Sequence, residues 1–139
     1  MMKHMVPIAP EMDEQTFQRF VELISPIIER SGGRTTMEKL VEDHKRGDIQ
    51  VWAILDPHSP AGVSSFGITR LVVYPSGLRV MRLDHGAGSL QDAIDIMPEV
   101  EEFARACGAD KMRIEGRRGW QRIFTDGWHE VSRIIEKEL

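Results

Sequence analysis

The chain has 139 residues, 41% of them hydrophobic and 29% charged, with a formal net charge of -4, which fits one domain able to bury a core without disulfides or a metal. No apolar run approaches the length that crosses a bilayer, and the opening Met-Met-Lys-His-Met has no apolar signal core, so a cytoplasmic protein without a membrane partner is expected. Cys107 is the single cysteine, which excludes an internal disulfide, and the acidic balance argues against broad nucleic-acid binding.

In chain order, Phe17, Phe20, Val21, Ile24, Ile27 and Ile28 recur at spacings of three and four, predicting an amphipathic helix that begins near Asp13. Pro26 either kinks it or opens a second short turn capped by Ser25. After the loop Ser31-Gly32-Gly33, Thr35 and Glu38 match a capping box. Met37, Leu40 and Val41 supply the buried face of that helix, which stops at Gly47.

Residues 49–55, β-rich and holding Trp52, read as a strand that ends in the breaker-dense turn 56–62. Residues 63–74 form a longer strand, Pro75, Ser76 and Gly77 a tight turn, and residues 78–84 the antiparallel partner. His85, Gly86, Ala87, Gly88 and Ser89 read as a glycine loop. Leu90, Ala93, Ile94, Met97, Val100, Phe103, Ala104 and Cys107 then describe one long helix, kinked at Pro98 and closed by Gly108. Residues 111–115 read as a strand, 118–125 as a short helix, and 128–139, with Val131, Ile134 and Ile135, as a last strand. The order is helix, helix, three strands, helix, strand, helix, strand, which predicts a single α/β domain.

The glycine loop joins a strand to the first turn of a helix, where free backbone N–H groups and the helix dipole favour a phosphate or another anion. Glycines at such a place equally serve an ordinary tight turn. Near the C-terminal third, Arg105, Lys111, Arg113, Arg117, Arg118 and Arg122 face only Asp110 and Glu115, which favours a small anionic ligand there. Arg117 and Arg118 suit a phosphate, a carboxylate or a partner surface, and are also what a solvated face would carry. Cys107 is either a small buried residue or a nucleophile. His4, His44, His58, His85 and His129 lack close metal-ligand spacing, and there is no serine elbow or P-loop.

Several segments carry a family likeness: Gly47, Asp48, Ile49, Gln50, Val51 and Trp52; Tyr74 with Pro75; Phe103 through Gly108; Gly116, Arg117, Arg118, Gly119 and Trp120; Gly127 with Trp128; and Glu136, Lys137 and Leu139. With the element order, they make the chain resemble the GNAT acyltransferase superfamily, and more narrowly the small GNAT-like proteins of tailed bacteriophages. The resemblance implies a mixed, mostly antiparallel central sheet flanked by helices, with two central strands splayed apart near Asp84 and Glu115. It implies acetyl-CoA in that cleft, its phosphates on Gly86, Ala87, Gly88 and Ser89, with Arg117 and Arg118 as further contacts. The acetyl group would pass to a small-molecule or peptide amine, with Asp84, His85 or Glu115 as general base. Glu115 could instead simply pair with Arg113, Arg117 or Arg118.

Two positions depart from the family pattern. Leu83 stands where an arginine or glutamine precedes the loop, and Ile123 stands where a tyrosine would protonate the departing thiolate. They support a second expectation, an inactive binding or virion-associated module that meets a phage protein in the host cytoplasm. An edge at the terminal strand would allow a homodimer.

Overall fold

The computed structural model describes residues 3–115, 127–132 and 134–139. Five strands form one sheet in sequence order: β1 (Met5–Ile8), β2 (Gln50–Leu55), β3 (Val63–Val73), β4 (Arg79–Ala87) and β5 (Lys111–Ile114). The first three neighbouring pairs are antiparallel, and β4 with β5 is parallel. The parallel pair requires a crossover, which α3 (Leu90–Asp95) and α4 (Met97–Ala106) supply, while α1 (Glu14–Arg30) and α2 (Met37–Arg46) lie between β1 and β2 in the chain. This is the mixed, mostly antiparallel sheet flanked by helices that the family resemblance implies.

Alternation along the strands sorts side chains onto two faces. Val51, Ala53, Phe66 and Ile68 pack with Phe20, Ile24 and Leu40 of α1 and α2, and Phe20 meets Phe66 edge-on at 5.2 Å between ring centroids. On the other face Ile54 packs with Ile96, Met97 and Val100, with Leu83, Met112, Ile114 and Trp128 around them. Trp52 also points there. Its ring stands edge-on to Phe103 at 4.6 Å, and its indole N–H donates to Thr69 Oγ1 at 3.0 Å, so the buried indole keeps a partner.

Helix ends follow local chemistry. Asp13 caps α1 by accepting from the Thr16 N–H at 2.7 Å, and Gly47 ends α2 in the left-handed region at φ +78°. Several expectations are corrected. The cap of α2 is Thr36, which accepts from the Lys39 N–H, while the Thr35 N–H turns back to Ser31 Oγ. Pro26 lies inside α1, which continues to Arg30 without a second cap at Ser25; that hydroxyl donates to the Val21 carbonyl instead. The long helix expected over 90–107 is two helices, because Pro98 cannot donate to Ile94 and belongs in a first turn, so α4 starts at Met97. Ile96 is at once the C-cap of α3 and the N-cap of α4.

The N-terminal strand β1 is an addition to the predicted elements. Pro7 sits within it, and an edge strand tolerates a residue with no N–H to give. At the other end, residues 128–132 and 134–139 take no strand. Val131, Ile134, Ile135 and Leu139 are exposed there, so the apolar composition that predicted a last strand has no sheet face to bury against. Trp128 does pack on the α4-side core, and Glu136 pairs with Arg34. The expected short helix at 118–125 lies outside the described residues. Among the described residues no helix is long and apolar enough to cross a membrane.

Candidate active site

The centre of interest is where β4 and β5 part. Their parallel pairing runs from Val80 with Lys111 to Leu83 with Ile114 and stops there, while β4 continues to pair with β3 as far as Phe66 with Ala87. Beyond Leu83 and as far as Ala87, no strand pairs with the β5-side edge of β4 among the described residues.

A bulge sits at the same point. Thr69 pairs with Leu83 and Ile68 with His85, leaving Asp84 as the extra residue. A bulge resets the alternation and re-aims side chains. Before it, Arg82 stands opposite Arg70 on the face toward α1 and α2; after it, His85 stands opposite the buried Ile68 on that same face. Asp84 also turns to this face. It accepts from Arg82 Nε, from Arg82 Nη2 at 3.3 Å and from Arg70 Nε at 3.3 Å.

Arg70 in turn reaches Asp43 of α2 with Nη2 at 2.9 Å. Asp43 is only 2% exposed, and its Oδ1 lies 2.8 Å from Lys39 Nζ as an ion pair without a well-aligned hydrogen bond. Lys39 first and Arg70 second hold the Asp43 carboxyl below the usual carboxylate range, against the opposing effect of burial. The charged chain Lys39, Asp43, Arg70, Asp84, Arg82 therefore ties α2 to the sheet beside the parting.

Of the three candidate bases, His85 is best placed to accept a proton. Burial lowers its pKa from the ordinary 6.5; Asp84 opposes the shift, and Arg82 and Arg70 reinforce it. Burial thus favours the neutral imidazole, the form that can accept a proton. Asp84 has its oxygens committed to two guanidinium groups. Glu115 follows the end of β5 and pairs with Arg113 at 2.6 Å.

The expected glycine loop is corrected in part. Gly86 and Ala87 belong to β4, because β3 is long enough to offer them partners in Gly67 and Phe66. Among the described residues a side chain at Gly86 would meet nothing within 4 Å, so there is room over that face of β4. Gly88 differs: at φ +113° it is pressed against the backbone of Ser64 and Ser65, so its missing side chain serves packing on β3. Ser89 caps α3 by accepting from the Asp92 N–H, and its own N–H donates to Ser65 Oγ at 3.0 Å. The carboxylate of Asp92, 4% exposed, is held by Lys3 at 3.0 Å and Ser64 Oγ at 2.7 Å, which puts a fixed anion in the first turn of α3.

Leu83 and Arg82 point to opposite faces, so Arg82 does not replace the arginine or glutamine absent at Leu83. Arg117, Arg118 and Ile123 lie outside the described residues. The sequence reading passed over Arg70, Asp43 and Lys39. Arg70 could have been found: counting three residues back on each side from Val73 and Arg79, which flank the turn, pairs it with Arg82. Among the described residues no group of three or more His, Cys, Asp and Glu could hold a metal ion.

A five-stranded mixed sheet with an N-terminal helix pair on one face, a crossover on the other and a parallel pair that parts at a bulge is the GNAT fold. Solved structures that share it include a probable acetyltransferase, 15% identical with a TM-score of 0.70 over 98% of this chain and 96% of the other. An aminoglycoside acetyltransferase from an uncultured soil metagenomic sample, in complex with sisomicin, is 10% identical, with a TM-score of 0.71 over 99% and 97%. Ribosomal-protein-alanine N-acetyltransferase from Brucella melitensis biovar Abortus 2308 is 12% identical, with a TM-score of 0.64 over 99% and 97%. No protein-family model and no curated protein matches the sequence.

Proposed function

We propose that this protein is a GNAT-like N-acetyltransferase that moves an acetyl group from acetyl-CoA to an amine. The observation that carries the reading is the parting of β4 from β5 at the Asp84 bulge, with His85, its neutral form favoured by burial, beside it. The β5-side edge of β4 from Asp84 to Ala87, unpaired by any strand among the described residues, fits an extended pantetheine arm pairing as a strand would, with room over the face at Gly86. Acetyl-CoA supplies the activated thioester. His85 takes one proton from the acceptor ammonium and passes it to solvent, the free amine forms the C–N bond as the C–S bond breaks, and the second proton leaves the new amide nitrogen for the departing thiolate, giving the free thiol.

A second reading, a binding module without transfer chemistry, is favoured by one set of contacts. The Ser89 N–H is spent on Ser65, Gly88 is filled by β3, and Asp92 places its own charge at the start of α3, so that turn is poorly prepared for a pyrophosphate. A titration with acetyl-CoA separates the two. The transferase reading expects a rise in thermal midpoint, corresponding to about 2.7 kcal/mol at 100 times the dissociation constant. His85→Gln should keep that rise and lose about 100-fold or more in acetyl transfer at pH 7. An unmoved midpoint in millimolar acetyl-CoA leaves the binding module.

A further inference from the structure

Three arginines stand side by side across three strands: Arg70 of β3 opposite Arg82 of β4, and Arg82 opposite Arg113 of β5. Cross-strand neighbours share a face, and like charges directly opposite destabilise a sheet. Asp84, between Arg70 and Arg82, and Glu115, beside Arg113, offset part of that repulsion. The carboxylates of this rung are Asp43, Asp84 and Glu115; with Lys39 added, four cations face three anions.

The donors are only partly used. Arg82 gives Nε and Nη2 to Asp84, Arg70 gives Nε to Asp84 and Nη2 to Asp43, and Arg113 gives Nη1 to the Tyr74 hydroxyl at 3.3 Å and pairs Nη2 with Glu115. Nη1 of Arg70, Nη1 of Arg82 and Nε of Arg113 have no hydrogen-bond partner among the described residues. The side chains of Arg82 and Arg113 are 33% and 30% exposed, open enough to be reached and buried enough for their charge to count. The rung lies one residue before the strands part, at the floor of the proposed cleft.

We infer that Arg82 and Arg113, backed by Arg70, bind a carboxylate carried by the amine acceptor, so the acceptor is an amino acid or a similar amino-carboxylate. Planar guanidinium groups with spare donors match a carboxylate geometrically, and such charge-assisted bonds are the strong ones. Glu115 is the internal stand-in that the ligand displaces from Arg113. This rests on the acetyltransferase reading for the word acceptor, but the anion site is testable without acetyl-CoA.

The test is a titration of the full chain with succinate, against uncharged succinamide and sodium chloride at matched ionic strength, following the arginine Nε–H resonances by NMR. Succinate should shift the Arg82 and Arg113 signals saturably, and neither control should. Arg113→Gln should weaken succinate about tenfold, with Arg113→Lys between it and the wild type. Glu115→Gln should tighten it, because the competing carboxylate is gone; this variant removes only an exposed ion pair and leaves the core intact. Non-saturable shifts, or a Glu115→Gln that binds no tighter, would overturn the inference. Preference for inorganic phosphate over succinate would overturn it in favour of a phosphate ligand. Success with succinate alongside a failed acetyl-CoA titration retains the anion site and removes the transferase, and the converse result removes only the anion site.

Discussion

Gly88→Ala is expected to destabilise the protein by on the order of 3 kcal/mol. The added Cβ would lie 2.5 Å from the Ser64 carbonyl oxygen and 2.8 Å from Ser65 Cα, and would also strike Ser65 Oγ, at a residue whose φ of +113° is already strained for any side chain. Two of these obstacles are backbone atoms of β3, which pairs on both sides and cannot retreat cheaply. Gly86→Ala, two residues earlier, meets nothing within 4 Å among the described residues and has no positive φ, so its stability should change by less than about 1 kcal/mol. Urea unfolding of both variants with unchanged slope checks the contrast. Equal losses at the two positions would remove the distinction between a packing glycine and one that leaves room for a ligand. If Gly86→Ala keeps the fold and weakens acetyl-CoA, the pairing of pantetheine along β4 gains direct support.

The contrast marks how far the sequence could be read. Periodicity in α1 and α2, the left-handed stop at Gly47 and the hairpin turn at Pro75, Ser76 and Gly77 are local signals, and these elements formed as their own residues predicted, apart from the shift of the α2 cap from Thr35 to Thr36. Opposite faces for Leu83 and Arg82 followed from strand alternation alone. What was not legible depends on register between distant segments. His85, Gly86 and Ala87 look like a loop because of their glycine, yet β3 runs far enough to pair them as strand. The bulge at Asp84 exists only as a mismatch between two strands, and no residue type announces it.

The same limit hid the charged site. Arg113 joins the rung only through the parallel register of β5, set by a crossover of two helices rather than by a turn. Asp43 reads as one more acid of α2, yet it stands three residues after Leu40 on the same buried face and is itself buried. Composition misled in the opposite direction for Val131, Ile134 and Ile135, whose β propensity found no strand to pair with among the described residues.

Arg70→Met should cost about 3 kcal/mol, because it strips one partner from a buried carboxylate and leaves the charge in place. Asp43 would keep only Lys39, and Asp84 only Arg82. The pH dependence gives a separate check. The Asp43 pKa is lowered below 3.8 in the folded protein, chiefly by Lys39 and then by Arg70. The unfolded chain therefore binds the proton more readily, and stability rises with pH through this range. The contribution is fully present above 3.8 and fades as pH falls through the folded-state value. In Arg70→Met the folded pKa moves up, so acid destabilisation should set in at higher pH than in the wild type. Asp43→Asn removes the titrating group, so its unfolding midpoint should change less between pH 5 and pH 2.5 than that of the wild type. An Arg70→Met protein within about 0.5 kcal/mol of wild type at pH 7 would show that solvent, not Arg70, carries the Asp43 charge. The tie between α2 and the sheet would then have to rest on the apolar contacts of Leu40 and Met37 and on the hydrogen bond between His44 Nε2 and the Ile8 carbonyl.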